Sequence, residues 1–174
     1  MNLTSTQKAT LKSDILADGS LSSLPNNDAG NALIAAAYNA VASPNYWAFR
    51  TDLTRAVIYH EIGPEGTTWS WTTYKNQQVA EQNAWVQMFM GDLVNFSKPN
   101  LRAGVDAIFS GSGAPASQRA HVAAMGRRQA TRVEKLFAAA TAGGAGQRGS
   151  TGNPDTLTLE GAITATDVEE ARNL

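Results

Sequence analysis

The last third of the chain divides into three segments of different character. An arginine-rich stretch, Ser117 to Ala140, is followed by a glycine-rich segment, Gly143 to Gly152, and then by an acidic tail, Asp155 to Leu174. Because the glycine-rich segment offers no core-forming side chain, it predicts a flexible linker. A basic helix and an acidic arm joined in this way indicate a protein that holds a neighbouring protein. They do not favour one that acts alone on a small molecule.

Charge is distributed unevenly along the sequence. Residues 1–94 carry five basic and eight acidic side chains, residues 95–154 carry eight and two, and residues 155–174 carry one and five. The formal net charge is only -1, which argues against a general nucleic-acid or membrane binder. Oppositely charged segments can instead pair within the chain or between copies in an assembly.

Length and composition predict a single domain of ordinary size, with a possible appendage, within the 174 residues. The chain contains no cysteine, which excludes disulfides and fits synthesis in a reducing compartment. No signal-peptide pattern opens the sequence, and no apolar run approaches the length of about 18 residues that marks a membrane span. We therefore expect no membrane partner.

Apolar residues recur at helical spacing and predict an all-α bundle of about five helices. Thr4 and Gln7 have the spacing of a capping box, and Asn27 or Asp28 is a suitable cap for a second helix. The helices after the first are predicted over 29–42, 52–62, 74–90, 99–109 and 115–141. In the helix over 74–90, we expect the buried side to include Val79, Ala84 and Trp85.

The predicted domain organisation has three parts. Residues 1–142 form the helical domain, 143–153 the glycine-rich hinge and 154–174 an extended C-terminal arm. Within the arm, Thr156–Leu159 alternates like a short β segment, and 164–172 predicts a final short helix with acidic residues near its N-terminus.

The helix predicted over 115–141 carries a basic side opposite its apolar stripe. A solvated surface explains such a side, since Arg and Lys normally lie on exposed helix faces. The alternative is contact with an anionic partner. Three such partners are considered: an acidic arm, another subunit and passing DNA. Phosphate binding needs several converging cations, and a ring of subunits would supply them. The candidate residues for contact with an acidic partner or with DNA are Arg119, Arg127, Arg128, Arg132 and Lys135.

No combination of residues marks a catalytic, cofactor or metal site. His60 and His121 are the only histidines, and His60-Glu61 lacks the second histidine of a zinc-protease pattern. The glycines from Gly143 to Gly146 follow a predicted helix and not a strand, so they do not predict a nucleotide cradle. We expect no enzymatic activity, no cofactor and no bound metal.

Four segments of the sequence carry a resemblance to known proteins. They are Ala42–Thr51 (ASPNYWAFRT), Lys98–Ile108 (KPNLRAGVDAI), Arg127–Ala138 (RRQATRVEKLFA) and Leu159–Ala162 (LEGA). Together they resemble a family of small structural proteins of tailed bacteriophages and prophages. The family is that of the head–tail connectors, of the adaptor or head-completion type. The resemblance implies a helical subunit of a ring below the portal, which carries the DNA channel onward to the tail. The helical pattern favours an adaptor over a stopper or a tail terminator.

The resemblance also implies partners and a location. These are other copies in a ring that matches the portal's symmetry, such as a dodecamer, the portal protein, a downstream tail or stopper protein, and transient non-specific contact with genomic DNA. The implied location is the virion neck, after synthesis in the host bacterial cytoplasm. The arm residues expected to contact the portal or a neighbouring subunit are Leu157, Leu159, Glu160, Ile163, Asp167, Glu169 and Glu170.

Three alternatives remain at this point. The chain is another virion protein, such as a tail-completion or minor capsid subunit, or it is a phage-encoded cell-wall hydrolase. A hydrolase would need a carboxylate pair in a cleft, and none of Glu61, Glu65 and Glu81 has a spacing that marks one. The third alternative, a small DNA-binding regulator, is disfavoured by the nearly neutral charge.

Overall fold

The fold is mostly helical, with a few short strands. A computed structural model describes residues 3–138 and 147–174, and about 52% of the chain is helical. The prediction of a helical protein is confirmed, whereas that of a purely all-α fold is wrong. In chain order the described elements are α1 (Ser5–Ala17), α2 (Gly19–Ser22), α3 (Asp28–Asn39), β1 (Trp47–Phe49), β2 (Leu53–Thr54), α4 (Arg55–His60), α5 (Trp71–Lys75), α6 (Val79–Met88), β3 (Leu93–Val94), α7 (Pro99–Ile108), α8 (Ala114–Met125), β4 (Arg127–Gln129), α9 (Arg132–Leu136) and α10 (Ala165–Arg172).

The chain divides into two compact units. The first unit comprises residues 1–47 and 129–174, and the second comprises residues 48–128. Strand β1 pairs with β4, and the unit boundaries fall within these two strands. This division differs from the predicted order of domain, hinge and arm, because residues 154–174 belong to the same unit as the N-terminal helices.

The first unit is organised around α1, α3 and α10. A reciprocal capping box begins α1 as predicted, since the Thr4 backbone N–H donates to Gln7 and the Gln7 N–H donates to Thr4. Asn27 is the cap of α3, where its side chain accepts from the Gly30 N–H. The three helices enclose one apolar core, formed by Leu3, Leu11, Ile15, Leu21, Ile34, Ala35, Tyr38, Val133, Ile163, Val168 and Ala171.

The C-terminal arm is part of this core. Val168 and Ala171 of α10 are fully buried, and the Asn39 side chain bonds to both the N–H and the carbonyl of Ile163, at 2.9 and 2.8 Å. At the surface, Lys8 pairs with Glu170 at 2.6 Å. The prediction of an arm held apart from the helical domain is therefore wrong, because α10 supplies apolar surface that α1 and α3 need.

The second unit has its own core, in which aromatic side chains predominate. Trp69 stacks on Trp85 with ring centroids 5.2 Å apart, and Phe109 packs edge-on against both rings. Strands β2 and β3 pair antiparallel, with Leu53 opposite Val94. The buried members of this core are Leu53, Ile58, Trp69, Trp85, Phe89, Val94, Phe96, Val105, Ile108, Phe109, Val122 and Met125.

The prediction of a single helix over 115–141 is wrong. Helix α8 ends at Met125, strand β4 follows, and α9 begins only at Arg132. Gly126 lies directly against the Phe96 ring, where a side chain has no room, and its carbonyl accepts from the Arg50 N–H at 2.8 Å. Thr131 then starts α9 with a new capping box. A tight contact and a second cap thus interrupt the helical pattern.

The predicted linker contains ordered structure in its second half. Residues 143–146 lie outside the described residues, whereas 147–153 form a turn in which the Gly149 N–H donates to the Asn153 carbonyl at 2.9 Å. Gly149 has a φ of 80°, which other residues rarely adopt, and it packs against the Tyr46 ring, where a side chain has no room. The strand predicted over Thr156–Leu159 does not form.

Candidate interaction surface

Helix α6 is attached to the second unit along one side only. A Gln78–Glu81 capping box begins the helix, and Trp85 is its one buried residue among those described. The Trp85 indole N–H donates to the Tyr59 hydroxyl at 2.8 Å, and its ring contacts Phe89 just beyond the helix. Trp85 therefore anchors the inner side of the helix, where Glu81, Gln82 and Met88 are half-buried, and the opposite side is exposed.

The outward side of α6 is apolar and uncharged. Val79 is 72% exposed, Val86 is 44% exposed, and Met90, just after the helix, is 78% exposed. With the exposed Asn83, they recur at helical spacing along one side. We call these four residues the outer α6 face. Exposed apolar side chains grouped on one side of a helix, here with one uncharged amide among them, are typical of a site of interaction with another protein.

Sequence reasoning missed this surface. Val79 and Ala84 were expected on the buried side of the helix, yet both are exposed. The sequence did carry a signal for an exposed apolar surface, because apolar residues occur on every side of α6. That pattern is typical of a helix buried on all sides, within its own chain or by a partner.

The predicted basic residues do not form one helix face. In the second unit, Arg119 donates to the carbonyls of Phe109 and Gly111 beyond the end of α7, and Arg127 pairs with Glu65. Arg128 is half-buried in β4. Arg119 lies on α8, whereas Arg127 and Arg128 lie on β4, because α8 ends at Met125.

The remaining two predicted cations lie in the first unit. Arg132 bridges Asp14 and Asp18, with nitrogen–oxygen distances of 3.0 and 2.9 Å, and Lys135 donates to the Pro44 carbonyl at 3.0 Å. Contact of the five cations with DNA or an acidic partner stays a prediction. The five cations do not form a shared basic surface on one long helix.

Two groups near Arg132 have shifted pKa values. Hydrogen bonds from Ser20 and then from Arg132 lower the pKa of Asp18 to about 2. Burial, together with the hydrogen bond to Asp14, raises the pKa of Tyr38. These hydrogen bonds therefore favour the ionised form of Asp18, and the position of Arg132 indicates a role in holding α1 against α9.

The predicted arm contacts are not equally accessible. Ile163 is buried in the core of the first unit, and Asp167 is buried as the cap partner of Thr164. Neither side chain can reach another protein while α10 is docked, so their assignment to partner contact is corrected. Leu157 and Leu159 are half-buried, and Leu159 packs against the core.

The acidic residues of the arm are the exposed ones. Glu160, Glu169 and Glu170 are exposed, although Glu170 pairs with Lys8 of the same chain. Their contact with the portal or with a neighbouring subunit stays a prediction.

The chain shows no metal-binding cluster among its described residues and no match to known proteins. Within residues 3–138 and 147–174, no group of three His, Asp or Glu side chains is placed to hold a metal ion. None of the described helices combines the length and apolar character needed to cross a membrane. No protein-family model, curated protein or solved structure matches this chain.

Proposed function

We propose that this protein is a structural subunit of the neck of a tailed bacteriophage, where copies assemble into a ring between portal and tail. The four sequence segments that resemble head–tail connectors support the placement. The outer α6 face supports the assembly, and it is the observation that carries the proposal. Copies in the ring would enclose the passage through which DNA moves.

The outer α6 face suits a repeated contact between subunits. Val79 and Met90 expose most of their surface, and Val86 exposes nearly half. Full burial of such side chains contributes about 1.5–3 kcal/mol each. No ionised group lies on this face, so its burial requires no charge to be desolvated. A ring repeats the contact at every interface, so a modest gain per interface stabilises the whole assembly.

The cations take a secondary part in this proposal. Arg119, Arg127, Arg128, Arg132 and Lys135 each occur once per subunit, and a ring multiplies them around its circumference. Cations that converge on the passage from several subunits would give a sequence-independent attraction for phosphates, which suits a passage that DNA crosses without being read.

The test measures assembly with and without the portal protein. We expect the purified protein to form a ring, alone or on addition of portal assemblies, in size-exclusion chromatography with light scattering and in native mass spectrometry. The double variant Val86→Glu/Met90→Glu should remain monomeric and fail to join the portal, because burying two carboxylates opposes the contact. Circular dichroism should be unchanged, since both side chains are exposed.

A matched control uses an exposed apolar residue of the other unit. Leu16 is 65% exposed on α1, so Leu16→Glu makes the same chemical change away from the outer α6 face. This control should assemble like the wild type. A wild-type protein that stays monomeric with portal present would contradict the proposal, as would a double variant that assembles normally.

A further inference from the structure

The second unit contains an open polar cavity next to the start of α8. Its volume is about 470 Å³, and no charged side chain lines it. The polar wall is made of five hydroxyl groups and one amide, from Thr67, Thr68, Ser70, Thr73, Ser117 and Gln118. Thr73 already donates to Ser70, and the Thr67 hydroxyl is bonded to His121, so the hydroxyls of Thr68, Ser70 and Ser117 are the wall donors left for a ligand. The wall carries no full positive charge.

The N-terminus of α8 lies at this cavity without a capping side chain. Its N-cap is Gly113, and Ala114 and Ser117 of the first turn line the cavity wall. Pro115 has no N–H group, so the backbone donors at this end belong to its neighbours. The partial positive charge of a helix N-terminus favours an anionic group beside it.

Gln118 provides a second, independent indication. The side chain is 1% exposed, and its Oε1 accepts from the Ser70 N–H at 3.0 Å, which fixes the orientation of the amide. Among the described residues, nothing accepts a hydrogen bond from its Nε2. A buried donor without a partner is costly, so this amide group is suited to an acceptor that comes from outside the chain.

We propose that this cavity binds a carboxylate group. A carboxylate accepts hydrogen bonds only, which matches the unpartnered Gln118 amide, the wall hydroxyls and the uncapped helix N-terminus. One negative charge suits a wall without lysine or arginine, whereas a phosphate dianion would need cations to balance it. The carboxylate belongs either to a small free acid or to an acidic side chain of another polypeptide. This site does not depend on the connector role.

The test is a titration of the ¹⁵N-labelled full chain followed by NMR. Sodium acetate should cause saturable shifts of the Gln118 side-chain amide and of the Ala114 and Ser117 backbone amides, beyond those from sodium chloride at equal ionic strength. N-acetylglutamate α-amide serves as the polypeptide probe. Tighter binding of that probe than of acetate assigns the site to a polypeptide, and equal binding assigns it to a small acid. Both outcomes support a carboxylate site.

Two variants test the assignment of the donors. Gln118→Glu keeps an acceptor for the Ser70 N–H but replaces the free amide donor, and acetate binding should weaken at least about tenfold, which corresponds to about 1.4 kcal/mol. Ala114→Asp places a competing carboxylate at the exposed start of α8, so it keeps the fold and tests the site even if Gln118→Glu is unstable. It should also weaken acetate binding at least about tenfold.

The control for added charge is Ala103→Asp, at an exposed position of α7 outside the cavity lining. It should bind acetate like the wild type. The proposal is overturned if acetate shifts these resonances no more than chloride does, or if Ala114→Asp binds acetate as tightly as Ala103→Asp.

Discussion

Arg132 joins three elements of the first unit, and its replacement by glutamine gives a sharp test of that role. The Asp14 carboxylate accepts from Arg132 at 3.0 Å and from the Tyr38 hydroxyl at 2.5 Å. The guanidinium also lies over the Tyr38 ring, 4.5 Å from its centroid. The variant Arg132→Gln keeps a polar side chain but removes the charge that holds α1, α3 and α9 together.

The expected loss of stability follows from exposure. The Arg132 and Asp14 side chains are 32% and 35% exposed, so their ion pair contributes about 1 kcal/mol. The contact with the Tyr38 ring adds about 0.5–1 kcal/mol. Urea unfolding followed by circular dichroism at pH 7 should therefore show a free energy of unfolding lower by at least about 1.5 kcal/mol, with loss of the Asp18 pair adding to this.

The pH dependence provides the second measurement. The pKa of Asp18 is lowered to about 2 in the folded protein, first by Ser20 and then by Arg132. A lowered carboxyl pKa stabilises the fold above the unfolded value of about 3.9, and this stabilisation is lost as the pH falls towards 2. In Arg132→Gln, the pKa of Asp18 should rise towards its usual value without reaching it, because Ser20 remains.

Carboxyl ¹³C NMR of wild type and variant measures that pKa directly, and Lys135→Gln on the same helix is the control. Lys135 donates to a neutral carbonyl, so its removal should leave the Asp18 pKa unchanged. The reasoning is refuted if Arg132→Gln leaves the Asp18 pKa at its wild-type value. It is also refuted if the variant is destabilised as much at pH 2 as at pH 7.

Two further predictions concern tight packing and a buried hydrogen bond. Gly126→Ala should lower the free energy of unfolding by about 1–3 kcal/mol in urea titrations, because the added methyl overlaps the buried Phe96 ring. Gly91→Ala, with nothing within 4 Å of the added carbon, should cost clearly less, and equal losses would contradict the packing argument. Tyr46→Phe should cost about 1.5–3 kcal/mol in the same assay, since it removes a 2.6 Å hydrogen bond to the buried Asp155 carboxylate. An unchanged urea midpoint would show that Arg148 and the backbone supply enough hydrogen bonds to the Asp155 carboxylate without the Tyr46 hydroxyl.

Three helix starts were predictable because their signals are local, whereas the starts predicted at 52 and 74 were wrong, since α4 begins at Arg55 and α6 at Val79. The capping boxes at Thr4 and Thr164 and the proline at the first turn of α7 each depend on residues within one turn of the helix. Such signals are legible in the sequence without knowledge of the tertiary structure. The predicted helix over 115–141 failed for the opposite reason, since the break at Gly126 depends on Phe96, which is distant in the sequence.

The location of the candidate interaction surface was not predictable in the same way. The residues of α6 do not show which of its apolar sides faces Trp69 and Phe109, because that choice depends on the aromatic core of the unit. Polar cavities present a similar difficulty. At the α8 cavity, Ser70 and Gln118 come together from separate segments, and no spacing in the sequence predicts this contact.

The charge pattern of the last third has a different meaning in the folded chain. Its opposite charges pair within the first unit, where Arg148 lies near Asp155 and the basic Lys8 meets the acidic Glu170. Arg132 likewise pairs with α1 and the residue that follows it. Because these charges already have partners in their own chain, they offer little net attraction for a second copy. Under the proposed function, the uncharged outer α6 face is therefore the source of affinity between subunits. Since salt screens charge pairs but not apolar contacts, assembly through this face should be insensitive to ionic strength.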